Sequence, residues 1–178
     1  MELNINITED DYVNFNIINY RNSKELIKRS RLMRFLPIIF FMILPLFLSN
    51  HIPLWYRYIW FIIASIFYVF YYPKSEERSI RKLARKMISE DKKGSILGER
   101  KIIIDETGVK TINTNDESIT RWNGIEKVLV DKNYILIYNS PVSAYILPIR
   151  ELAEEKEEVL KLLNEYVNNR MIRIDKDK

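Results

Sequence analysis

The chain has 178 residues, enough for one ordinary domain together with some membrane-embedded structure. It contains no cysteine, which excludes disulfides, cysteine-ligated zinc and thiolate nucleophiles, and its single histidine, His51, argues against a histidine-based metal site or a Ser-His-Asp triad. The net charge of +4 is modest, but the basic residues are concentrated beside two apolar runs.

Residues 1–31 form the first predicted segment, a strand followed by a cytoplasmic helix. The apolar residues Leu3, Ile5 and Ile7 alternate with polar ones, a period of two that is typical of a strand and unlike a signal peptide. Thr8 precedes three acidic residues, so it can cap a helix whose first turn complements the helix dipole. We expect this helix to extend to the end of the segment.

Residues 32–73 contain two apolar runs, which predict a transmembrane hairpin with helices at about 32–50 and 54–72. Tyrosine and tryptophan cluster at both ends of the second run, as they do at the two interfaces of a bilayer. Pro37 and Pro45 lie in the first run, and membrane helices tolerate proline because neighbouring groups bond the freed carbonyls. The alternative, a buried helix pair in a soluble core, is disfavoured because runs of this length are hard to bury in so small a protein.

Lysine and arginine flank the predicted hairpin on both sides and avoid its tip. Six basic residues precede the first run and six follow the second, whereas the connecting turn contains only His51. By the positive-inside rule, both termini of this two-pass protein are expected in the cytoplasm. We interpret His51 as a solvated turn residue, in preference to an external pH sensor.

Residues 74–93 are predicted to form a basic juxtamembrane helix, since their apolar residues recur at helical spacing. Two interpretations follow: the charges only set the topology, which we favour, or they bind anionic lipid head groups. The residues that would contact head groups are Arg78, Arg81, Arg85 and Lys86. Nucleic-acid binding is not expected, because no recognition motif accompanies the charge.

Residues 94–178 are predicted to form a small cytoplasmic domain, which makes the whole chain an α+β membrane protein. Short strands separated by turn signals precede an amphipathic helix over 151–170. Six antiparallel strands are expected in a twisted sheet or partly open barrel that the helix closes, and residues 3–7 could supply a further edge strand. The predicted strands span 101–105, 109–113, 117–122, 125–130, 134–138 and 143–147.

Several motifs accompany this order of elements. They are a G-x-R entry at Gly98-Glu99-Arg100, a D-x-x-G turn after the first strand of the domain, Trp122 followed by an apolar position at Ile125, and an A-x-I-L-P-x-R stretch from Ala144 to Arg150. Together with the hairpin, this arrangement resembles the YcxB-like family of small bacterial membrane proteins. The resemblance covers nearly the whole chain. It implies a location in a bacterial cell membrane and a C-terminal domain similar to a bacterial pleckstrin-homology-type fold, and it carries over no catalytic residue.

The residues with functional potential point to binding. No pair of carboxylates, glycine-rich phosphate loop or nucleophile with its base stands out. We therefore expect no enzyme, no cofactor and no metal, but a membrane-anchored interaction module that binds an unidentified protein, a peptide or itself. The candidate partner-binding residues are Trp122 and Arg150, although Trp122 is more simply a packing residue and Arg150 can pair with the acidic run after it. The alternative function is a lipid-surface or envelope-stress sensor that uses the basic juxtamembrane segments.

Overall fold

The computed structural model describes residues 1–47, 53–92, 94–114, 116–167 and 170–173. The chain divides into two compact units: Met1–Asn16 with Ala84–Lys178, here called the β unit, and Ile17–Leu83, here called the helical unit. The helices are α1 (Glu9–Asn22), α2 (Lys24–Ile43), α3 (Leu54–Glu90), α4 (Ile149–Leu152) and α5 (Lys156–Val167). The strands are β1 (Glu2–Ile7), β2 (Gly98–Asp105), β3 (Gly108–Asn113), β4 (Glu117–Arg121), β5 (Lys127–Val130), β6 (Tyr134–Ser140), β7 (Ser143–Pro148) and β8 (Met171–Arg173). The predicted α+β class, with two long apolar helices and antiparallel sheets, is confirmed.

Two four-stranded sheets form the β unit, in place of the single sheet or partly open barrel that the sequence predicts. The first has the order β1-β2-β3-β4, and every neighbouring pair is antiparallel. The second has the order β7-β6-β5-β8, in which only β8 and β5 are parallel. The difference arises because the six predicted strands form two groups of three, each extended by one strand from near a chain end. The described sheets do not close into a barrel.

Alternating burial accounts for the core of the β unit. The apolar residues of β1 face inward, and Leu3 lies opposite Ile102 of β2, which is also buried. β6 is buried throughout Tyr134–Tyr138, because it lies inside its sheet between two other strands. α5 adds one apolar stripe whose residues repeat every four positions. The stripe consists of Val159, Leu163 and Val167.

β1 and β2 are neighbours in the first sheet, although residues 8–97 separate them in the chain. Their antiparallel register covers the whole of β1. The N-terminal ammonium group of Met1 extends the pairing, because it donates a hydrogen bond to the carbonyl oxygen of Ile104 at 2.8 Å. The expected edge position of residues 3–7 is confirmed, and α1, α2 and α3 are inserted between two paired strands.

The turn between β2 and β3 explains the D-x-x-G motif. Oδ1 of Asp105 accepts hydrogen bonds from the backbone N–H groups of Thr107 and Gly108, at 2.7 and 3.2 Å. Gly108 has a φ of 153°, and a Cβ atom at this position would lie 2.1 Å from the carbonyl oxygen of Thr120. Only glycine therefore fits this turn without displacing β4.

The arginine of the G-x-R entry has a structural role. Nη2 of Arg100 donates hydrogen bonds to the carbonyl oxygens of Ile96 and Ser95, at 2.6 and 3.3 Å. Burial lowers the pKa of Arg100. The guanidinium group thus ties the segment before β2 to the strand itself.

The C-terminal helix is interrupted, whereas one continuous helix is expected over 151–170. α4 ends at Leu152, a 3-10 turn occupies Ala153–Glu155, and α5 then begins. Ala153 has a φ of 42°, a left-handed conformation that a right-handed helix cannot contain. No glycine or proline marks this position in the sequence, so the break has no local signal.

Two helices replace the single helix predicted for the N-terminal segment. α1 and α2 are separated at Ser23, whose Oγ accepts a hydrogen bond from the backbone N–H of Leu26 at 3.3 Å. α3 differs in the opposite sense, since it continues through Pro73 from the apolar run into the basic segment. The capping residue Ser23 therefore sets the start of α2, whereas Pro73 does not end α3.

Side chains of the opposite apolar helix bond the carbonyls that two prolines leave free. Pro37 in α2 and Pro73 in α3 have no N–H to donate to the residue four positions earlier. We call the two replacements the proline–carbonyl pairs: Tyr68 Oη to the carbonyl oxygen of Met33 at 3.3 Å, and Arg34 Nε to the carbonyl oxygen of Val69 at 3.0 Å. These pairs explain how both helices continue past a proline.

The charge at the start of the second apolar run is bonded to backbone. Arg57 is only 7% exposed, and its Nη1 donates to the carbonyl oxygen of Pro45 at 3.1 Å. Pro45 belongs to the 3-10 turn Leu44–Phe47, which ends the first apolar helix. The interaction satisfies an orphan carbonyl at a helix C-terminus. His51 and the predicted end of the first transmembrane helix lie outside the described residues.

The helical unit presents apolar side chains outward. Two helical stretches, Lys24–Phe47 and Leu54–Glu90, are long and apolar enough to cross a membrane, and only 6% of the most apolar part of each is buried. Phe47, Phe67 and Phe70 are each more than two-thirds exposed. The apolar runs therefore are not buried within the described part of the chain.

Candidate functional site

Arg150, a predicted partner-binding residue, binds the carboxylate of Asp11. Nη1 and Nη2 of Arg150 lie 2.5 and 2.6 Å from Oδ1 and Oδ2 of Asp11. This is the parallel two-bond geometry that suits guanidinium and carboxylate groups. The expected pairing with the acidic run is also present, because Nε of Arg150 lies 3.2 Å from Oε1 of Glu151. Asp11 is the closer partner, and its side chain is only 1% exposed.

Asp11 also completes the cap of α1. Its Oδ2 accepts hydrogen bonds from the backbone N–H and the hydroxyl of Thr8, at 2.8 and 2.7 Å. The backbone N–H of Asp11 donates to Oγ1 of Thr8 at 3.4 Å, so the two residues cap each other. The predicted capping role of Thr8 is confirmed, and the buried acceptor in that cap is the partner of Arg150.

A tyrosine of the second sheet joins the same cluster. Tyr134, the first residue of β6, donates its phenolic hydrogen to Oδ1 of Asp11 at 3.0 Å. Nδ2 of Asn14 donates in turn to Oη of Tyr134 at 3.1 Å. We call Thr8, Asp11, Asn14, Tyr134 and Arg150 the Asp11 cluster. It links the end of β1, the start of α1, the start of β6 and the start of α4.

The electrostatics of the Asp11 cluster keep Asp11 ionised and Arg150 protonated at neutral pH. Burial alone would raise the pKa of Asp11, but hydrogen bonds from Arg150, Thr8 and Tyr134 outweigh it and lower the pKa to about 2. The hydrogen bond with Asp11 raises the pKa of Arg150, and burial raises that of Tyr134. At neutral pH none of these groups exchanges a proton, so the cluster is suited to holding the fold and unsuited to acid–base chemistry.

Trp122, the second predicted partner-binding residue, is held by three intramolecular contacts. It begins a 3-10 turn over Trp122–Gly124, one residue beyond the end of β4. Its Nε1 donates to the carbonyl oxygen of Asp105 at 2.9 Å, and its ring stacks on Tyr166 at 4.7 Å between centroids with 13° between planes. Its carbonyl oxygen accepts from Nη2 of Arg170 at 3.2 Å. Trp122 thus joins the end of β2 to α5, which agrees with the packing interpretation.

The two predicted partner-binding residues belong to separate sets of contacts. Arg150 bonds residues of the β1–α1 junction, and Trp122 bonds residues near α5. Their described contacts have no residue in common. A partner-binding role for either residue stays a prediction, and it would require the partner to compete with bonds that the fold already makes.

Three of the four basic residues proposed to contact lipid are paired with carboxylates. Arg81 lies 2.9 Å from Glu77, and Arg85 lies 2.9 Å from Glu9. The third pair is Lys86 with Glu90 at 3.6 Å, and Arg78 is exposed. Both side chains of each of these three pairs are at least one-third exposed, so each pair contributes little to stability. The pairs nevertheless reduce the positive charge offered to a head group.

β4 is an open edge that sequence reasoning did not identify. It ends the first sheet, and no strand of the described chain pairs with its second edge. Its inner face is hydrogen-bonded to β7 of the second sheet, because Oγ1 of Thr120 lies 2.7 Å from Oη of Tyr145. Its outer face carries Ile119, which is 58% exposed. The sequence predicts the strand itself, but strand order depends on pairing between distant segments and has no local signal.

Metal binding finds no support within the described ranges, where no group of three His, Asp or Glu side chains is arranged to hold an ion. The carboxylate of the Asp11 cluster is already bonded to Thr8, Tyr134 and Arg150.

Replacing Asp11 by Asn should lower the free energy of unfolding by about 2–3 kcal/mol, because Arg150 would lose its buried counter-charge. The substitution should also reduce acid sensitivity. Folding lowers the pKa of Asp11 from 3.8 to about 2, so its contribution is complete above pH 4 to 5 and is lost as the pH falls toward 2. Chemical denaturation of the detergent-solubilised chain between pH 7 and pH 3, followed by circular dichroism, measures both effects.

The matched control for this prediction is Asp10→Asn, which removes the same charge from an exposed neighbour. It should change the free energy of unfolding by less than about 0.5 kcal/mol. Equal acid sensitivity in Asp11→Asn and the unmodified chain would contradict the role given to this carboxylate.

One comparison with known proteins yields a match. The family model described as YcxB-like protein matches residues 104–163, about a third of the chain. This segment runs from the end of β2 into α5 and includes Trp122 and Arg150. No curated protein and no solved structure matches the chain. The resemblance inferred from the sequence is therefore confirmed over residues 104–163.

Proposed function

We propose that the chain is a membrane-anchored, non-enzymatic interaction module, held at the cytoplasmic face of a bacterial cell membrane by a hairpin of α2 and α3. The observation that supports membrane anchoring is the exposure of the apolar side chains on both helices. Only 6% of the most apolar stretch of each helix is buried. Apolar patches of this extent on a soluble monomer would be an aggregation hazard, whereas lipid covers them.

The proline–carbonyl pairs support the same proposal. In a bilayer core no water is present to bond a free carbonyl, so each must find a partner inside the protein. Arg34 and Tyr68 supply those partners from the opposite helix, and Arg57 bonds the carbonyl of Pro45 near the other end. These polar side chains thus donate hydrogen bonds to backbone carbonyl oxygens. Membrane helices accommodate polar side chains by pairing them in this way.

Strand pairing supports a two-pass topology. β1 precedes the apolar helices, β2 follows them, and the two strands are bonded in one sheet. Two strands in one sheet must lie on the same side of a membrane, so the chain must cross an even number of times. The basic residues at both flanks favour the cytoplasmic side for that sheet.

The β unit is proposed to be a pleckstrin-homology-like domain. Strands β1 to β4 form one antiparallel sheet, β5 to β7 form the antiparallel part of a second, and α5 follows in the chain. The family resemblance implies a pleckstrin-homology-type fold with a C-terminal helix, and the antiparallel strands followed by α5 support that proposal.

The open edge of β4 is the proposed partner-binding surface. An extended segment of another protein can add to it as a fifth strand, because backbone N–H and C=O groups on this edge have no strand partner in the described chain. Ile119 offers an apolar contact beside that edge. Trp122 then contributes indirectly, since it directly follows β4 and its indole N–H bonds the carbonyl oxygen of Asp105 at the end of β2. Arg150 bonds residues beside β1, at the opposite edge of the sheet.

Lipid-surface or envelope-stress sensing by Arg78, Arg81, Arg85 and Lys86 is the second candidate function. It has less support than partner binding, because three of these four cations already have carboxylate partners.

The topology can be tested with single cysteines, because the chain contains none of its own. Pro53→Cys, near the predicted tip of the hairpin, should react with a membrane-impermeant maleimide in intact cells. Lys24→Cys and Ser143→Cys, both exposed positions on the two flanks, should react only after the membrane is permeabilised. Different behaviour of these two flanking cysteines would exclude the hairpin.

The partner surface can be tested by photo-crosslinking in native membranes with the reactive group at Ile119. This position is preferable to Trp122 or Arg150, whose side chains support the fold. We expect one discrete heteromeric adduct from Ile119 and none from Val142, a control position that is 72% exposed in the turn between β6 and β7. Adducts only between copies of this chain, or equal adducts from both positions, would contradict partner binding at β4.

A further inference from the structure

A cavity of about 370 Å³ lies in the helical unit among residues of α1, α2 and α3. Its volume falls within the range of pockets that hold small ligands, about 300–1,000 Å³. The polar side chains that line it include Tyr20, Arg21, Ser30, Arg31 and Arg34, together with Glu76 and Glu77. Ile27, Pro73 and Ile80 give it an apolar wall.

The two carboxylates of the cavity, Glu76 and Glu77, already accept hydrogen bonds from side chains of the helical unit. Glu77 is shared by two arginines, with Arg21 at 2.8 Å and Arg81 at 2.9 Å. Glu76 accepts a hydrogen bond from Oγ of Ser30. Burial and the hydrogen bond with Glu76 raise the pKa of Tyr20 to about 12, so this phenol stays neutral at physiological pH.

Two arginines of the cavity remain available to a ligand. Arg31 is exposed, and Arg34 uses its Nε to bond the carbonyl of Val69. Among the described residues, neither guanidinium has a carboxylate within salt-bridge distance. Guanidinium groups form paired hydrogen bonds with phosphate oxygens, so an anion that bears a phosphate is the ligand class that this arrangement suits.

The cavity adjoins the end of the apolar part of the two long helices. Arg34 and Pro73 both line it, and both take part in the proline–carbonyl pair that includes Val69. The neighbouring aromatic residues Tyr68 and Tyr72 belong to the belt that the sequence predicts at this bilayer interface. Lipid phosphates are found at that depth, where long basic side chains extend to meet them.

We propose that this cavity binds the phosphate-bearing head group of an anionic phospholipid, with Arg31 and Arg34 as its cationic contacts. The inference rests on the proposed membrane hairpin, and it assigns lipid binding to residues other than Arg78, Arg81, Arg85 and Lys86. The apolar wall of Ile27, Pro73 and Ile80 accommodates the glycerol portion of the same lipid.

The test uses the full chain in nanodiscs that contain equal amounts of phosphatidylglycerol and phosphatidylcholine. Native mass spectrometry after release measures how much of each lipid stays bound. The key variant is Arg31→Gln, and the matched control is Arg29→Gln, which removes the same charge from an exposed residue of α2 outside the cavity. Two further samples, the unmodified chain and Arg31→Gln in detergent with inorganic phosphate alone, show whether free phosphate is the ligand.

The unmodified chain should retain phosphatidylglycerol in preference to phosphatidylcholine. Arg31→Gln should reduce that retention at least about fivefold, the change that corresponds to about 1 kcal/mol for one basic residue at a membrane surface. Arg29→Gln should reduce it less than about twofold. Equal losses in both variants, no preference between the lipids, or binding of inorganic phosphate that Arg31→Gln abolishes would overturn the proposal. A chain that fails to enter nanodiscs at all would instead contradict the membrane hairpin.

Discussion

The pairing of β1 with β2 is the constraint on which the rest of the structure depends. It joins strands that α1, α2 and α3 separate in the chain, so the first sheet cannot be complete until all three helical segments have been synthesised. Closing so long a connection costs conformational entropy. The burial of the β1 side chains and the hydrogen bonds between β1 and β2 offset this cost. If α2 and α3 cross a membrane, as we propose, the same pairing requires both flanks on one side.

Long-range polar contacts hold the elements that this pairing brings together. Arg150 and Asp11 lie 139 positions apart in the chain, and their ion pair ties α4 to the cap of α1 directly after β1. In the helical unit, Arg34 bonds the carbonyl of Val69 across 35 positions. Each contact satisfies a buried charge or an orphan carbonyl, and leaving such a group unbonded would be costly. The candidate binding residues Arg150 and Trp122 are therefore bonded within the fold, and the surfaces that we propose for binding are the β4 edge and the arginine-lined cavity.

Local patterns in the sequence predict what depends on neighbouring residues. The apolar runs, the alternation in β1, the Thr8 cap and the Gly108 turn are all visible, because each requires only a few adjacent positions. The order of strands, the division into two sheets and the pairing of Arg150 with Asp11 were missed, since they depend on contacts between distant segments. The break at Ala153 was also missed, because its left-handed conformation occurs without glycine or proline. For the candidate site, the sequence identified Arg150 and Trp122 and the pairing of Arg150 with the adjacent acidic run. The bonds of Arg150 to Asp11 and of Trp122 to Asp105 join distant segments and have no local signal.

The most direct test of the central claim is a disulfide between Asn4→Cys and Lys101→Cys, which lie opposite each other in the β1–β2 register. Cross-strand partners have the separation that a disulfide requires. Oxidation in isolated native membranes, followed by proteolysis and mass spectrometry, identifies the link. We expect an intramolecular bond in most chains and no dimer, with Asn4→Cys alone giving no product. Absence of the bond, or a bond only between two chains, would contradict the insertion of the helices between paired strands.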